Sequence, residues 1–329
     1  MASPAFFCSM YEFHFILIPL FAFLLDNAVA DPHWLPHPVR LIGRAASSVD
    51  AYRDTIDLDL KVGLKTIGFM TLGFTGLFTF WLILELTTLN IPWLAILFSI
   101  YFSYAGLSLQ GLITEGWKVE RALRMGNIDQ ARHEISMLVS RDTSKMNEAE
   151  IRRSLAETVS ENFSDGFFAP FFYLVLFGPA CMWVYKTINT FDSMWGYKTE
   201  RYKKLGWFPA IVDDMANWIP ARLSTWALRW AGRTMGLEIE AAARNTAVDA
   251  RKMESPNAGW PMATCAWLVG GAMGGTTVYF GEVKEKPNLG PQGQQWTSRK
   301  IEVLFKLVRR AGWLTVLIAS GLLFVLSKT

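Results

Sequence analysis

Apolar residues in this chain fall in blocks about as long as a bilayer crossing, which needs ~20 residues. The blocks are residues 6–25, 63–86, 91–113, 167–185, 262–280 and 311–326. The first has no Lys or Arg ahead of it, so an uncleaved membrane helix is expected there rather than a signal peptide. Residues 167–185 are long enough to span. Yet Gly178-Pro179 should break a helix near the middle, and charged segments flank both ends. The pattern predicts a segment that enters the membrane, turns and returns to the same face. Block 262–280 carries Gly270, Gly271, Gly274 and Gly275. Small residues four apart mark close helix packing in a bilayer more often than a phosphate loop. No strand is evident ahead of these glycines, and no Lys-Ser/Thr follows.

The polar stretches show helical periods of their own. Asn127 followed by Gln130, and Asn147 followed by Glu150, have capping-box spacing. Ile128, Ala131, Ile135 and Leu138 form one helical stripe; Ile151, Leu155 and Val159 form another. Two amphipathic helices joined by residues 140–146 follow. Residues 207–230 mix aromatics with Asp213, Asp214, Pro220, Arg222 and Arg229, which predicts helices at the interface or packed inside a bundle. Residues 282–295 read as a loop and 299–310 as a basic helix on the membrane surface.

Charge sets the expected topology. Arg40, Arg44, Arg53 and Lys61 place residues 26–61 in the cytoplasm, and the basic residues of 114–162 do the same there. The turn at 87–90 has none and faces outside. The expectation is an all-α polytopic membrane protein with about four transmembrane helices, re-entrant or interfacial helices, and a cytoplasmic helical insertion. It is one integral membrane domain over 1–329, with 114–166 as the cytoplasmic segment.

Composition agrees: 51% of residues are hydrophobic. A net charge of +3 is too small to argue for a nucleic-acid partner. Cys8, Cys181 and Cys265 form no CxxC pair, and the four histidines have no HExxH spacing, against a disulfide framework or structural zinc.

The chemistry lies in residues 157–222. A charge in a bilayer costs ~2.5–3.5 kcal/mol on insertion scales unless paired, so a cluster of them marks a site. Glu157 and Glu161 share a helix face, and Asp165 follows. Either Arg153 pairs with Glu157 on a solvated face, or the three acids hold magnesium, which takes one or two carboxylates plus phosphate oxygens. Spacing does not choose. Asp192, Asp213 and Asp214 could cap and pack helices, ligate metal or act as a general base. Asn217 lies on the face of Asp213. Lys186, Lys198 and Arg201 could hold phosphates or serve as positive-inside anchors. No Walker loop, kinase signature or GxSxG elbow is present. The residues support an intramembrane site for anionic, phosphorylated ligands with a divalent metal and leave the reaction open.

Six motifs go further: PHPVRLIG (36–43), VSRDT (139–143), ETVSENFSDGFFAP (157–170), YKTINTFDSMWGYKTERY (185–202), DDMANWIPARL (213–223) and SPNAGWP (255–261). Together, and in this order, they closely resemble the adenosylcobinamide-phosphate synthase family of cobalamin biosynthesis, the CobD/CbiB family. The resemblance implies an amide ligase of the bacterial inner membrane, multi-pass, with its site facing the cytoplasm. Such an enzyme joins adenosylcobyric acid to aminopropanol phosphate or ethanolamine phosphate and converts ATP to ADP, with Mg2+. On that reading Glu157, Glu161 and Asp165 hold the metal with ATP. Lys186, Lys198, Arg201 and Arg222 meet phosphates, while Asn162, Asn189 and Asn217 fix ligands by hydrogen bonds. Asp192, or the Asp213–Asp214 pair, takes a proton from the amine, and Asp31 and His37 close the site. The partners implied are the two substrates and the lipid bilayer, with no nucleic acid. A homo-oligomer, or association with enzymes of the later nucleotide-loop steps, stays open. Ala30, Met253 and Met262 depart from the Gly, His and Glu of the family pattern. The competing class is a non-catalytic transporter or corrinoid-binding protein; no inverted repeat supports it.

Overall fold

The computed structural model describes residues 4–32, 37–53, 92–197, 199, 202–203, 205–279 and 282–328. The protein is an all-α polytopic membrane protein carrying one small two-stranded hairpin among the described residues. Its helices are α1 (Pro4–Val29), α2 (Pro38–Arg53), α3 (Pro92–Gly106), α4 (Leu109–Arg124), α5 (Ile128–Ser136) and α6 (Glu148–Asn162). A π-helical turn (Phe163–Phe168) leads into α7 (Ala169–Trp195), α8 (Trp207–Thr234), α9 (Ile239–Ala250) and α10 (Gly259–Val269). Strands β1 (Met273–Tyr279) and β2 (Glu282–Leu289) precede α11 (Ser298–Leu326). The helical segments Ile96–Arg124, Glu148–Trp195 and Ser298–Leu326 are long and apolar enough to cross a membrane. The span expected at 63–86 lies outside the described residues.

The chain divides into two compact units. The first comprises Met1–Leu107, Ala169–Ala216 and Ile318–Thr329; the second comprises Ser108–Phe168 and Asn217–Leu317.

In the first unit α1 packs on α3, burying Ala22 and Phe23, and the Tyr104 hydroxyl donates to the Ala30 carbonyl. One face of α2, through Ile42, Ala46 and Val49, seats on Phe191 and Trp195 of α7. Gly106 is required where α3 meets α7, because a Cβ there would stand 2.4 Å from the Met182 methyl carbon.

The long helix α7 is two helices in one. At Gly178 the backbone leaves helical space, with φ 80° and ψ −179°, and Pro179 withholds its N–H. The Tyr173 and Tyr185 rings, twelve residues apart in the sequence, stack with centroids 5.2 Å apart. A straight helix would separate these residues by about 18 Å. The segment therefore doubles back at Gly178-Pro179, as its sequence predicts, and exposes apolar Leu176 and Phe177 beside the turn.

In the second unit both expected caps are present. Asn147 and Glu150 make a reciprocal capping box, and the Asn127 side chain accepts from the Gln130 N–H. Ile151, Leu155 and Val159 are fully buried. Glu120 of α4, also buried, meets Arg152 Nε at 2.9 Å and Arg124 Nε at 3.2 Å. Three expectations need correction. Residues 262–280 are not one packed helix: α10 stops at Val269, capped by left-handed Gly270, and the chain enters the hairpin. Its glycines serve close backbone approach instead. A Cβ on Gly271 would lie 2.5 Å from the Trp296 ring, and one on Gly274, at φ +92°, would lie 2.0 Å from the Pro287 carbonyl oxygen. The β-branched run Thr276-Thr277-Val278 then favours a strand. The loop expected at 282–295 gives its first half to β2, which pairs antiparallel with β1. The helices expected at 299–310 and 311–326 are one continuous helix, α11.

Two measurements check the hairpin helix. Single cysteines at Ser144 and Ser193, in a chain freed of its native cysteines, should react with an impermeant maleimide from the same side of the membrane; opposite sides would exclude the return. Gly178→Ala should cost about 1–3 kcal/mol, the usual cost of an L-residue in that backbone region. Nothing lies within 4 Å of the added methyl. The fall in thermal midpoint of the purified protein would therefore report backbone strain alone.

Candidate functional site

Each unit holds its own polar cluster. In the second unit the cluster centres on Glu157, which has no exposed surface. The linker after α5 turns back at Asp142, whose carboxylate accepts from the Ser144 N–H at 2.9 Å. That turn delivers Arg141 to Glu157: Arg141 Nη1 lies 2.7 Å from Glu157 Oε2, with both side chains buried. The contact is an ion pair without a well-aligned hydrogen bond, since Nη1 also donates to Ser154 Oγ at 3.2 Å. The second oxygen, Oε1, accepts from the Gly274 N–H of β1 at 2.8 Å. One carboxylate thus ties the linker, α6 and the hairpin together.

Glu161 stands one turn further along α6. It is partly exposed and lies in the field of the Lys286 and Arg141 cations, opposed by Glu157. Three residues on, in the π-helical turn, Ser164 is fully buried, and its Oγ has no hydrogen-bond partner among the described residues. π-helical turns within helices are frequent at functional sites. Asp165 is half-buried beside it. Among the described residues no three His, Cys, Asp or Glu side chains converge on one point. Both oxygens of Glu157 are engaged, so it is a poor metal ligand as it stands. Glu161 and the orphaned Ser164 hydroxyl fit magnesium better, because that ion needs few protein ligands beside phosphate oxygens and water.

Arg153, one of the two alternatives weighed for Glu157, reaches the hairpin instead and donates from Nη2 to the Thr276 carbonyl at 3.1 Å. Asn162 turns back on its own helix, donating to the Thr158 carbonyl and hydroxyl at 3.0 and 3.1 Å. Asn217 is buried in this unit. Arg222 is held between the Trp218 and Trp260 rings, 4.3 and 4.8 Å from their centroids, and donates to Asn257 Oδ1 at 3.3 Å. That couples the DDMANWIPARL and SPNAGWP motifs.

In the first unit Asn189 of α7 donates to Asp213 Oδ1 of α8 at 3.2 Å. Lys186, one turn before Asn189, is buried, as is Asp213. Asp192 lies over Gly196, where a Cβ would come within 2.2 Å of its Oδ1, and Asp214 is half-buried. Asp31 and His37 form a pair, with His37 Nε2 at 3.3 Å from Asp31 Oδ1. Lys198 and Arg201 lie outside the described residues. The structure therefore joins Glu157 with Glu161, Asn189 with Asp213, and Asp31 with His37. It assigns Glu157, Glu161, Asp165, Asn162, Asn217 and Arg222 to one unit and Asp31, His37, Lys186, Asn189, Asp192, Asp213 and Asp214 to the other.

Two site residues, Arg141 and Lys286, are not singled out in the sequence reading, and two more, Arg153 and Gly274, are named there in other roles. Arg141 sits inside the VSRDT motif, a signal that marks it without giving its partner. Gly274 and Lys286 meet α6 only through the fold of the hairpin.

These features define a class: a helical membrane protein with buried acid–base clusters built from separated motifs. The family model described as CobD/Cbib protein matches residues 19–308, and the chain belongs to that family. Relatives named cobalamin biosynthesis protein CobD bear this out. That of Photorhabdus laumondii is 38% identical over 301 residues, 90% of this chain and 94% of the relative. That of Listeria monocytogenes serotype 4b is 34% identical over 309 residues, 93% and 97% of the two chains. That of Klebsiella pneumoniae is 39% identical over 274 residues, 82% and 85%. No solved structure matches the chain.

Removing one member of a buried ion pair strands the other and typically costs about 3–5 kcal/mol. Arg141→Ala should therefore lower the thermal midpoint sharply. Arg141→Ala with Glu157→Gln should recover much of the loss. A thermal scan of both variants in detergent checks this; no recovery in the double variant would mean that Arg141 acts on something other than Glu157.

Proposed function

We propose that this protein acts in cobalamin biosynthesis as an ATP-dependent amide ligase. It joins adenosylcobyric acid to aminopropanol phosphate or ethanolamine phosphate and yields adenosylcobinamide phosphate, ADP and inorganic phosphate. The observation that carries the reading is the family membership over nearly the whole chain, since the relatives are named for cobalamin biosynthesis. The clusters support it chemically. A carboxylate must be activated before an amine can displace its oxygen, and transfer of the γ-phosphoryl group of ATP to it gives an acyl phosphate. The amine then attacks the acyl carbon, the C–N bond forms, phosphate leaves with the C–O electron pair, and the amine gives up its extra proton.

Within this reading Asp213 is the proton acceptor best supported, because its carboxylate is buried and oriented by Asn189. Asp214, the next residue, and Asp192, in the same unit, are the alternatives. Lys186, buried one turn from Asn189, fits the phosphate of the amino alcohol; Lys198 and Arg201 fit the same task by charge. Arg222, fixed by two indole rings, fits a substrate carboxylate or side-chain amide oxygen. Asp31 and His37 fit a closing contact. Magnesium, when bound by Glu161 and Ser164 with Asp165 nearby, would offset charge as the phosphoryl group moves. The protein's own work is mostly to position and neutralise. The motif segments are proposed to face the cytoplasm, on the inner membrane of a bacterium.

The decisive measurement is ADP release by the detergent-purified protein with adenosylcobyric acid and aminopropanol phosphate, together and separately. Release only with both, alongside a new amide product by mass, is the expected result. Binding of the corrinoid without ADP release would favour a carrier instead. Asp213→Asn should lower turnover about 10²–10⁴-fold, the span of general-base catalysis, with ATP binding intact.

A further inference from the structure

The part of α8 that belongs to the second unit, residues 217–234, is polarised the wrong way for water. Asn217, Ser224 and Thr225 are buried along with Ala221, Leu228 and Ala231. Trp218, Ile219, Leu223, Trp226 and Trp230 face outward, each 40–62% exposed. A helix bordered by water shows the reverse order, with its polar residues outside.

The outward arc carries two rows. Ile219, Leu223, Trp226 and Trp230 recur at i, i+4, i+7 and i+11 and so lie on one line. Arg222, Arg229 and Arg233 each stand three residues after a member of that line, which sets them in a second row beside it. None of the three meets a carboxylate among the described residues. Arg222 is held over the Trp218 and Trp260 rings and donates to Asn257. Arg229 donates to the Ala242 carbonyl at 3.1 Å, and Arg233 is exposed in the last turn. Of the acids on α9, Glu240 pairs with Arg244 and Asp249 with Lys252. A row of indoles and aliphatics beside a row of arginines fits the boundary between acyl chains and headgroups. Tryptophan is enriched there, and arginine meets lipid phosphate.

Depth separates a helix lying in that boundary from one crossing the bilayer. Arg310 of α11 donates to the Thr234 carbonyl at 3.0 Å. The helix α11 is apolar enough to cross a membrane, and its exposed large apolar side chains begin at Leu317, seven residues after Arg310. The bond therefore sets the end of α8 near the level at which α11 enters the bilayer. If α8 crossed from there, Arg222, twelve residues back, would lie about 18 Å deep. That is past the middle of a hydrocarbon core of about 30 Å, where a charge is most costly, and Trp218 would lie deeper still. A flat helix keeps all three indoles and all three arginines at the surface.

We infer that residues 217–234 of α8 lie in the plane of the membrane, docked on a phospholipid leaflet. The row from Ile219 to Trp230 sinks into the acyl boundary. Arg233 meets the headgroup phosphates, and Arg222 is held at the same level by its two indole rings. The partner is the leaflet itself, and the inference stands apart from the ligase reading.

The test is the depth of single spin labels at Ile219→Cys, Leu223→Cys and Trp230→Cys. The full-length chain, freed of its native cysteines, is reconstituted in vesicles of phosphatidylcholine and phosphatidylglycerol. Collision with oxygen and with a water-soluble nickel chelate gives each depth. The expected result is one shared depth, roughly 5–10 Å below the phosphates. A crossing helix would put Leu223 about 10 Å deeper than Trp230 and would overturn the inference. Labels reached by the chelate but not by oxygen would mean that the face meets water. Labels reached by neither would mean that protein covers it, either residues 63–86 or a second copy of the chain. Either outcome would also overturn it. Should Trp230→Cys fail to fold, Trp226→Cys takes its place, and a crossing helix would then show Leu223 about 4.5 Å the deeper.

Discussion

The Glu157 carboxylate is the constraint on which the second unit depends. A buried charge is tolerated only when paired and hydrogen-bonded, and Glu157 meets both conditions with groups from distant parts of the chain. Arg141 comes from the linker between α5 and α6, and the Gly274 N–H comes from β1. The linker must turn at Asp142 to deliver the arginine, and residue 274 must be glycine to let β1 pass so close to Pro287. Asp249 performs a similar service: its carboxylate accepts from Trp267 Nε1 at 2.8 Å and the Gly290 N–H at 2.9 Å, which holds the end of β2 to α9 and α10. Both strands of a short, otherwise marginal hairpin are thus pinned by buried acids at its open end, where Met273 pairs with Leu289.

The first unit solves a different problem with the same means. Its polar groups lie among apolar helices, where water cannot serve them. Asn189 and Asp213 answer each other across α7 and α8, and Trp183 donates its indole N–H to the Phe102 carbonyl at 3.1 Å. The doubling back at Gly178 lets α7 offer two faces. Its first half carries Tyr173 and its second half carries Tyr185, Lys186 and Asn189. A straight helix would separate Tyr173 from the other three by more than about three turns.

Local features were legible in the sequence. Asn127 and Asn147 announce helix starts by spacing, Ile151-Leu155-Val159 announces the buried face of α6, and Gly178-Pro179 announces the break. Each depends on neighbours within one or two turns. The failures are of another kind. GGAMGG reads as helix packing because small residues suit close approach in helices and hairpins alike. What distinguishes them is the partner strand Glu282–Leu289, whose charged, proline-containing sequence gives no strand signal of its own. Arg153 sits four before Glu157, within reach of pairing on spacing, yet Arg141 takes that place from another element. The acids and bases of residues 157–222 form one dense run in the sequence. They fall into two units because the chain changes unit after Phe168 and again after Ala216. Periodicity carries no information on such long-range assignment.

That alternation bears on how the protein is made. The first unit needs residues from the beginning, the middle and the last twelve positions of the chain, and the second cannot close before Leu317 has been added. Neither unit is a contiguous stretch that could mature while the rest is still on the ribosome. Arg141 is on hand when Glu157 is made, but the Gly274 N–H that meets the second carboxylate oxygen follows 117 residues later, so that site is completed late. A chain cut short ahead of α11 would leave both halves unfinished.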